Sequence, residues 1–145
     1  MAENTVLGID ELNKDFQRLD AAVGAKFMRS AAGYAFTPVL SSIKAQAPVS
    51  KKAHKTYKGR VVAPGFLKRS LKKVTRKSRD NSRAYAFVWA EKEAFYGFQF
   101  VVPGTKYIRG NNFAQRGFDA AESQAVQRFS IKLKERIDKA AEAGK

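Results

Sequence analysis

Apolar residues in the first part of the chain recur at intervals of three and four, which is typical of one stripe of an amphipathic helix: Leu12, Phe16, Leu19 and Val23. Asp10 precedes this stripe and predicts the N-cap, and the neighbouring Glu11 suits the first turn of a helix. Gly24 follows the stripe and is expected to interrupt or loosen the helix.

A second helical run follows, with its apolar positions at Phe27, Ala31, Tyr34, Ala35, Val39 and Ile43. Pro38 is expected to bend this helix, and the nearby Gly33 adds slack. Pro48 is expected to end it, because the residue before a proline avoids helical backbone angles. Residues 1–47 are therefore predicted to be helical, as one long arm or as a kinked pair.

The pattern changes to polar and basic over residues 48–65, which are predicted to form a loop or an extended hairpin arm. Pro64 and Gly65 indicate a turn at its end. Leu67, Leu71 and Val74 match both helical and strand spacing, and we favour a short helical turn that passes into a strand.

Residues 66–104 are predicted to contain the strands. Large and small residues alternate over 84–90, with Tyr85, Phe87 and Trp89 as the large ones, and this indicates a strand covered on both faces. A turn over 91–93 leads to a second predicted strand over 95–102, which would complete a hairpin. Pro103 and Gly104 are expected to stop it.

The last part of the chain predicts one helix over residues 113–142. Asp119 and Glu122 resemble a capping box. The apolar stripe of the helix is formed by Phe118, Ala121, Ala125, Phe129, Leu133, Ile137 and Ala140. The whole chain, 1–145, is thus predicted to be a single α+β domain, with helices packed on a small antiparallel sheet and a basic loop or arm.

Charge changes this picture most in the middle of the chain. The net charge is +15, but residues 1–47 carry five basic and five acidic residues. Residues 48–90, the basic segment, carry thirteen Lys and Arg with Asp80 as their one acidic residue. A block of like charge is tolerated where it is solvated or faces an anion, so an acidic or polyphosphate partner and a solubilising surface are both open.

Residue types that carry catalysis are sparse. There is no cysteine, which excludes disulfides and thiolate metal sites. His54 is the one histidine, and it is expected to be a solvent-exposed loop residue because a general base needs a fixed neighbour and zinc needs several ligands. Glu91 and Glu93 are expected to form surface ion pairs. We expect no enzyme activity, no cofactor and no metal.

Nucleic-acid binding is the main candidate function that the residues themselves indicate, since clustered cations are the electrostatic footprint of phosphate binding. No helix-turn-helix, zinc-finger or RNA-binding motif accompanies them, so recognition would read backbone charge with little sequence preference. The candidate residues facing DNA or a partner are Lys51, Lys52, Lys55, Lys58, Arg60, Lys68, Arg69, Lys72, Lys73, Arg76 and Lys77.

Several short motifs occur in a fixed order: Ala47-Pro48-Val49, Gly65-Phe66-Leu67-Lys68-Arg69-Ser70-Leu71, Tyr96-Gly97, Gly104-Thr105, and Asn112-Phe113 before Phe118-Asp119-Ala120. Together with Gly8-Ile9-Asp10-Glu11-Leu12, this series resembles the small neck or tail-component family of long-tailed bacteriophages, the head–tail joining and tail-completion proteins. Members of that family typically carry an acidic residue two positions before the Gly-Thr glycine, where this chain has Val102.

The resemblance implies a structural virion protein without enzymatic activity, located in the neck or tail and in the host cytoplasm during assembly. It implies a homo-oligomeric ring in contact with other neck, connector or tail proteins. Genomic DNA passes through such rings, so non-specific contact with packaged DNA is a further expectation. Neither a signal peptide nor a membrane span is expected from the apolar runs.

Overall fold

A computed structural model describes residues 9–17 and 19–143. The elements in chain order are α1 Ile9–Gln17, α2 Ala21–Gln46, β1 His54–Lys55, β2 Val61–Val62, α3 Phe66–Ser70, β3 Leu71–Lys77, β4 Ala84–Ala90, a 3₁₀ turn Lys92–Ala94, a π-helix Gly97–Val101 and α4 Phe113–Ala143. β1 pairs with β2 and β3 pairs with β4, both antiparallel. The predicted α+β class is confirmed, with two two-stranded sheets instead of one.

The N-terminal helices separate before the glycine that was expected to divide them. α1 ends at Gln17, and the side chain of Asp20 accepts a hydrogen bond from the Ala22 amide at 2.9 Å, which makes Asp20 the cap of α2. Asp10 lies within the first turn of α1 instead of at its N-cap. Gly24 is buried inside α2, where a Cβ atom would lie 3.0 Å from Cζ of Phe16.

α2 continues through Pro38 and ends at Gln46, shortly before Pro48, as predicted. Proline has no amide hydrogen, so the carbonyl of Tyr34 lacks its usual intrahelical donor. The Nε atom of Arg128 donates to that carbonyl at 3.3 Å, and its guanidinium lies 3.9 Å from the centre of the Tyr34 ring. This arrangement compensates for the missing hydrogen bond and adds a cation–π contact.

Contacts within the chain divide it into two compact units. Unit 1 consists of the described residues within Met1–Phe36, Thr75–Ala86 and Ser123–Lys145, and unit 2 of Thr37–Val74 and Phe87–Glu122. In unit 1, Ala31, Leu133 and Ile137 form a buried cluster, against which further apolar residues of α1, α2 and α4 pack. The helical stripes read from the sequence supply this core.

Unit 2 buries a larger variety of elements. α3 passes directly into β3, which confirms the predicted helical turn followed by a strand. Phe66, Leu67 and Leu71 are buried at this junction, and Phe113 at the start of α4 is completely buried. The amide of Glu91 donates to the carbonyl of Ser70 at 3.1 Å, which joins the end of β4 to the end of α3.

The second strand predicted over 95–102 is wrong. Residues Gly97–Val101 form a π-helix, and β4 pairs with β3 instead. A Cβ atom on Gly97 would lie 2.4 Å from Cδ1 of Leu67, so the helical backbone passes directly over that side chain. β4 itself is confirmed, but Tyr85 and Trp89 are about half exposed, at 47% and 49%, so it is not covered on both faces.

The C-terminal helix begins at Phe113 and extends to Ala143. Its predicted stripe is confirmed, since its members are buried or partly buried. The capping box at Asp119 is wrong, because Asp119 lies in the second turn and accepts a hydrogen bond from the Gln115 amide group at 2.7 Å. Among the helices of residues 9–17 and 19–143, none is long and apolar enough to cross a membrane.

Candidate partner-binding surface

The polar stretch after α2 forms a short hairpin that is anchored in unit 2. β1 and β2 pair in the register His54 with Val62 and Lys55 with Val61. Thr56 is buried between them and donates its hydroxyl to Oε1 of Glu93 at 2.8 Å. Arg60 forms an ion pair with Oε2 of the same carboxylate at 3.5 Å. The structure thus realises the hairpin alternative, with Glu93 as its anchor.

Several cations of the basic segment serve the fold. Arg69 donates to the carbonyls of Pro64 and Ala63, at 2.8 and 3.4 Å, and so holds the turn before α3. Lys72 lies 2.8 Å from Glu91, and this hydrogen bond with its charge lowers the pKa of the Glu91 carboxyl below its ordinary value. Lys73 donates to the hydroxyl of Thr37 at 2.7 Å.

The remaining cations of the basic segment in unit 2 are exposed. Lys51, Lys52, Lys55 and Lys68 have no hydrogen-bond or ion-pair partner within the described chain. Lys58 is also exposed and lies 5.9 Å from the ring centre of the adjacent Tyr57. Within the basic segment of unit 2, these five side chains can meet an external anion without breaking an internal hydrogen bond or ion pair.

Arg76 and Lys77, the last two predicted site residues, belong to unit 1. Both are exposed near the end of β3. Lys77 donates to the Oδ1 atom of Asn81 at 3.0 Å, across the turn that leads to β4. The eleven candidate cations are therefore not equivalent. Some are engaged in contacts within the chain and others are not, and they belong to two different units.

A cavity of about 830 Å³ opens between the hairpin and the residues that follow β4. Aromatic side chains supply most of its walls, namely Tyr57, Trp89, Phe95, Tyr96 and Phe100, together with His54. The charged residues of the lining are Lys55, Lys92 and Glu93. A cavity of this size with apolar walls and few polar groups has the usual properties of a binding site.

The rings of this region continue from the cavity into the core of unit 2. Trp89 and Phe95 have their ring centres 5.0 Å apart, Phe95 and Phe98 are 6.3 Å apart, and Phe98 and Phe113 are 5.9 Å apart. All three pairs are tilted, as aromatic packing favours. The fully buried Phe113 thus holds one end of a series of rings whose other end, Trp89, meets solvent.

The expectation that His54 is a solvent-exposed loop residue is wrong. It lies on β1, is partly buried, and meets the ring of Tyr96 edge-on with 5.7 Å between ring centres. Its Nε2 atom is buried and has no hydrogen-bond partner among the described residues. Burial also raises the pKa of the Tyr96 phenol above its ordinary value.

The motifs that carry the resemblance occupy positions with tight geometry. Gly97 packs directly on the side chain of Leu67, so the Tyr96-Gly97 motif is in contact with the motif that contains Leu67. Gly104 has a φ of +79°, and a Cβ atom there would lie 2.5 Å from the backbone nitrogen of Gly110. Gly65 precedes α3 with a φ of +83°. Each glycine is required by backbone conformation or close approach.

Sequence reasoning missed the cavity because its walls come from two segments far apart in the chain, within 54–57 and within 89–100. The alternation over 84–90 did indicate an aromatic strand, but it could not show that Trp89 faces solvent. Across residues 9–17 and 19–143, no group of three or more acidic, histidine or cysteine side chains could hold a metal ion. Comparisons with models of protein families, with curated proteins and with solved structures found no match for this chain.

Proposed function

We propose that this chain is a structural virion protein of a tailed phage, one subunit of a ring in the neck, head–tail connector or tail-completion region through which genomic DNA passes. The observation that carries the proposal is the ordered series of motifs, of which Gly65-Phe66-Leu67 and Tyr96-Gly97 meet in the core of unit 2. That contact supports a fold shared with the family that the chain resembles. Close packing between the two motifs explains why they would occur together in one sequence.

The exposed cations give the basic segment a role in this setting. Lys51, Lys52, Lys55, Lys58 and Lys68 are free to meet the phosphates of passing DNA or an acidic neighbour in the particle. Contact of this kind is sequence-blind and falls steeply with salt, and its dissociation constant for free DNA is on the order of 10⁻⁴–10⁻⁶ M at physiological salt.

A free-standing, non-specific nucleic-acid-binding protein is the second candidate, and the same unpaired lysines favour it. The two functions differ in what the isolated protein does. A ring subunit binds DNA weakly alone and gains contact through assembly, whereas a free-standing binder holds DNA tightly as a monomer. DNA titrations of the monomer at several salt concentrations separate them.

The decisive experiment is a count of this chain in purified particles of the encoding phage, by quantitative mass spectrometry. The proposal expects several copies per particle, and their absence would overturn it. A charge-reversed variant, Lys51→Glu, Lys52→Glu, Lys55→Glu and Lys68→Glu, is expected to fold normally, since these side chains have no internal partner, and to reduce infectious particles.

A matched control reverses four cations outside the basic segment: Lys26, Arg109, Lys134 and Arg136. It changes the net charge by the same amount. If both variants reduce infectivity equally, total charge matters and the basic segment has no special role. Tight, sequence-selective DNA binding by the monomer would instead establish a regulatory DNA-binding protein.

A further inference from the structure

The cavity of unit 2 has apolar walls that remain partly exposed to solvent. Trp89 and Phe100 line it and remain 49% and 47% exposed, and Tyr57 is 67% exposed. Aromatic rings that are held in place by packing yet left in contact with water are typical of a recognition surface. Trp89 packs on one side against Phe95, with 5.0 Å between the ring centres.

The charge of the lining defines what chemistry this cavity accepts. Lys55 and Lys92 are both exposed, and neither has an anionic partner within the described residues. The carboxylate of Glu93 is already engaged by Thr56 and Arg60. The two ammonium groups therefore remain uncompensated beside an apolar surface, and the complementary ligand combines a carboxylate with an aromatic or aliphatic group.

A third feature of the lining is a histidine with a buried nitrogen atom. His54 lines the cavity, and its buried Nε2 atom lacks a hydrogen-bond partner in the described chain. Buried polar atoms are normally paired, and an unpaired one costs stability.

We propose that this cavity binds an acidic peptide segment of a partner protein, with an aromatic or aliphatic side chain of the peptide seated among the rings and its carboxylates at Lys55 and Lys92. The inference rests on the proposed function in that the partner is a neighbouring protein of the particle. A peptide is favoured over a nucleic acid because two cations, Lys55 and Lys92, stand beside largely aromatic walls, whereas a nucleic acid presents a phosphate at every nucleotide and is bound through a longer series of cations.

Trp89 is the one tryptophan of the chain, so its fluorescence reports on the cavity directly. The probe is a blocked heptapeptide with one phenylalanine flanked on each side by three aspartates. One control peptide replaces the phenylalanine by alanine, and another replaces the aspartates by asparagines. The phenylalanine-containing acidic peptide is expected to bind at least about tenfold more tightly than either control.

Two variants test the cavity and two matched variants test the surface outside it. Phe100→Ala is expected to weaken binding about tenfold, and Lys55→Ser with Lys92→Ser is expected to weaken it and to reduce its salt dependence. Tyr107→Ala removes an 83% exposed ring outside the cavity, and Lys51→Ser with Lys52→Ser removes two exposed charges. Both are expected to change affinity by less than about twofold. Circular dichroism checks that each variant folds.

No binding of the acidic peptide up to about 1 mM would overturn the proposal, as would equal binding of the alanine peptide. Oligothymidylate is tested in the same way. If it binds the wild type, and if the cavity variants lose this binding while the matched surface variants keep it, the cavity is a nucleic-acid site instead. The count of this chain in particles is independent of these titrations. The ring function can therefore fail while peptide binding stands, and the reverse is also observable.

Discussion

Unit 1 and unit 2 are stabilised by different kinds of packing. In unit 1 the buried residues come from regular helices, where Ala31, Leu133 and Ile137 follow the helical repeat. In unit 2 the buried residues come from parts of α2 and α4 together with a short helix, strands, a 3₁₀ turn and a π-helix, and glycines allow these segments to approach closely. Unit 2 also holds the cavity and the unpaired lysines of the basic segment.

The difference shows where an exposed surface can be specified in a small protein. The helices of unit 1 bury Ala31, Leu133 and Ile137, whereas Val23 and Tyr34 of the predicted stripes remain 40% and 42% exposed. The irregular segments of unit 2 present rings and charges at fixed positions, because Glu93 anchors the hairpin and Phe113 anchors the rings. Loops on a rigid support are where binding residues concentrate.

The largest effect is expected from Gly117→Ala in unit 2. Glycine to alanine within a helix ordinarily stabilises a protein by about 1 kcal/mol. At Gly117 a Cβ atom would lie 2.5 Å from the Cα atom of Ile43, which is backbone and cannot move aside. We expect a loss of about 1–3 kcal/mol in the free energy of unfolding, measured by urea denaturation.

The matched control is Gly33→Ala in unit 1. Its Cβ atom would lie 3.3 Å from the Cγ2 methyl of Thr75, a side-chain atom. The expected change is within about 1 kcal/mol of zero. If Gly33→Ala costs as much as Gly117→Ala, or if Gly117→Ala stabilises, the contrast in closeness of packing between the units is wrong.

The next effect concerns the anchor of the hairpin. Thr56→Val keeps the shape of the buried side chain but removes the donor to Glu93, and the expected loss of stability is about 1–3 kcal/mol. Hydrogen exchange at the amides of Thr56 and Gly59 should accelerate with it, since both donate within the hairpin.

Val61→Thr is the control, an isosteric change at a residue of β2 that is 63% exposed. Its expected effect is within about 0.5 kcal/mol. Unchanged stability and exchange in Thr56→Val would mean that the hairpin is not held through Glu93. The hairpin of unit 2 would then lack the rigid attachment on which the comparison between the units depends.

A smaller effect is expected from the cation–π contact of unit 1. A double-mutant cycle with Tyr34→Leu and Arg128→Ala should give a coupling energy of about 0.5–1 kcal/mol, because the guanidinium lies over the ring. The comparable pair of unit 2, Lys106 over Tyr107 at 4.7 Å, lies on an exposed turn and should couple less. Equal coupling in both pairs would contradict the view that the unit 1 contact is part of its packing.

The smallest effect concerns the turn between β3 and β4. Hydrogen bonds from the Ser78 hydroxyl and from the amide and hydroxyl of Ser82 lower the pKa of Asp80 from 3.8 to about 2. Because the folded pKa is the lower one, this contribution to stability is present above pH 3.8 and is lost as the pH falls through about 2. An NMR titration of the Asp80 carboxyl carbon measures it.

Ser78→Ala is expected to raise that pKa towards its ordinary value, since it removes the largest contributor. Ser50→Ala, outside the turn, should leave it unchanged. A wild-type Asp80 that titrates at its ordinary value would show that the turn is not held by these hydrogen bonds.

The sequence by itself determined the elements whose signals are local. The stripe from Phe118 to Ala140 predicted the C-terminal helix, the alternation over 84–90 predicted β4, and Pro48 predicted the end of α2. It also identified the exposed cations, because a run of lysines without apolar neighbours has nowhere to be buried. These features depend on periodicity and charge within one stretch of chain.

Tertiary structure decided what depends on residues far apart in the chain. Residues 95–102 are aromatic enough for a strand, but Leu67 lies under Gly97, and β3 takes the place of the expected partner strand. Asp20 instead of Gly24 marks the helix boundary, and the ring of Phe16 from α1 packs close to Gly24 inside α2. Likewise, His54 is partly buried and Lys72 is paired because Tyr96 and Glu91 approach them from other segments. Local propensity is worth tenths of a kcal/mol per residue, whereas such long-range contacts are worth about 1 kcal/mol or more, so they prevail wherever the two conflict.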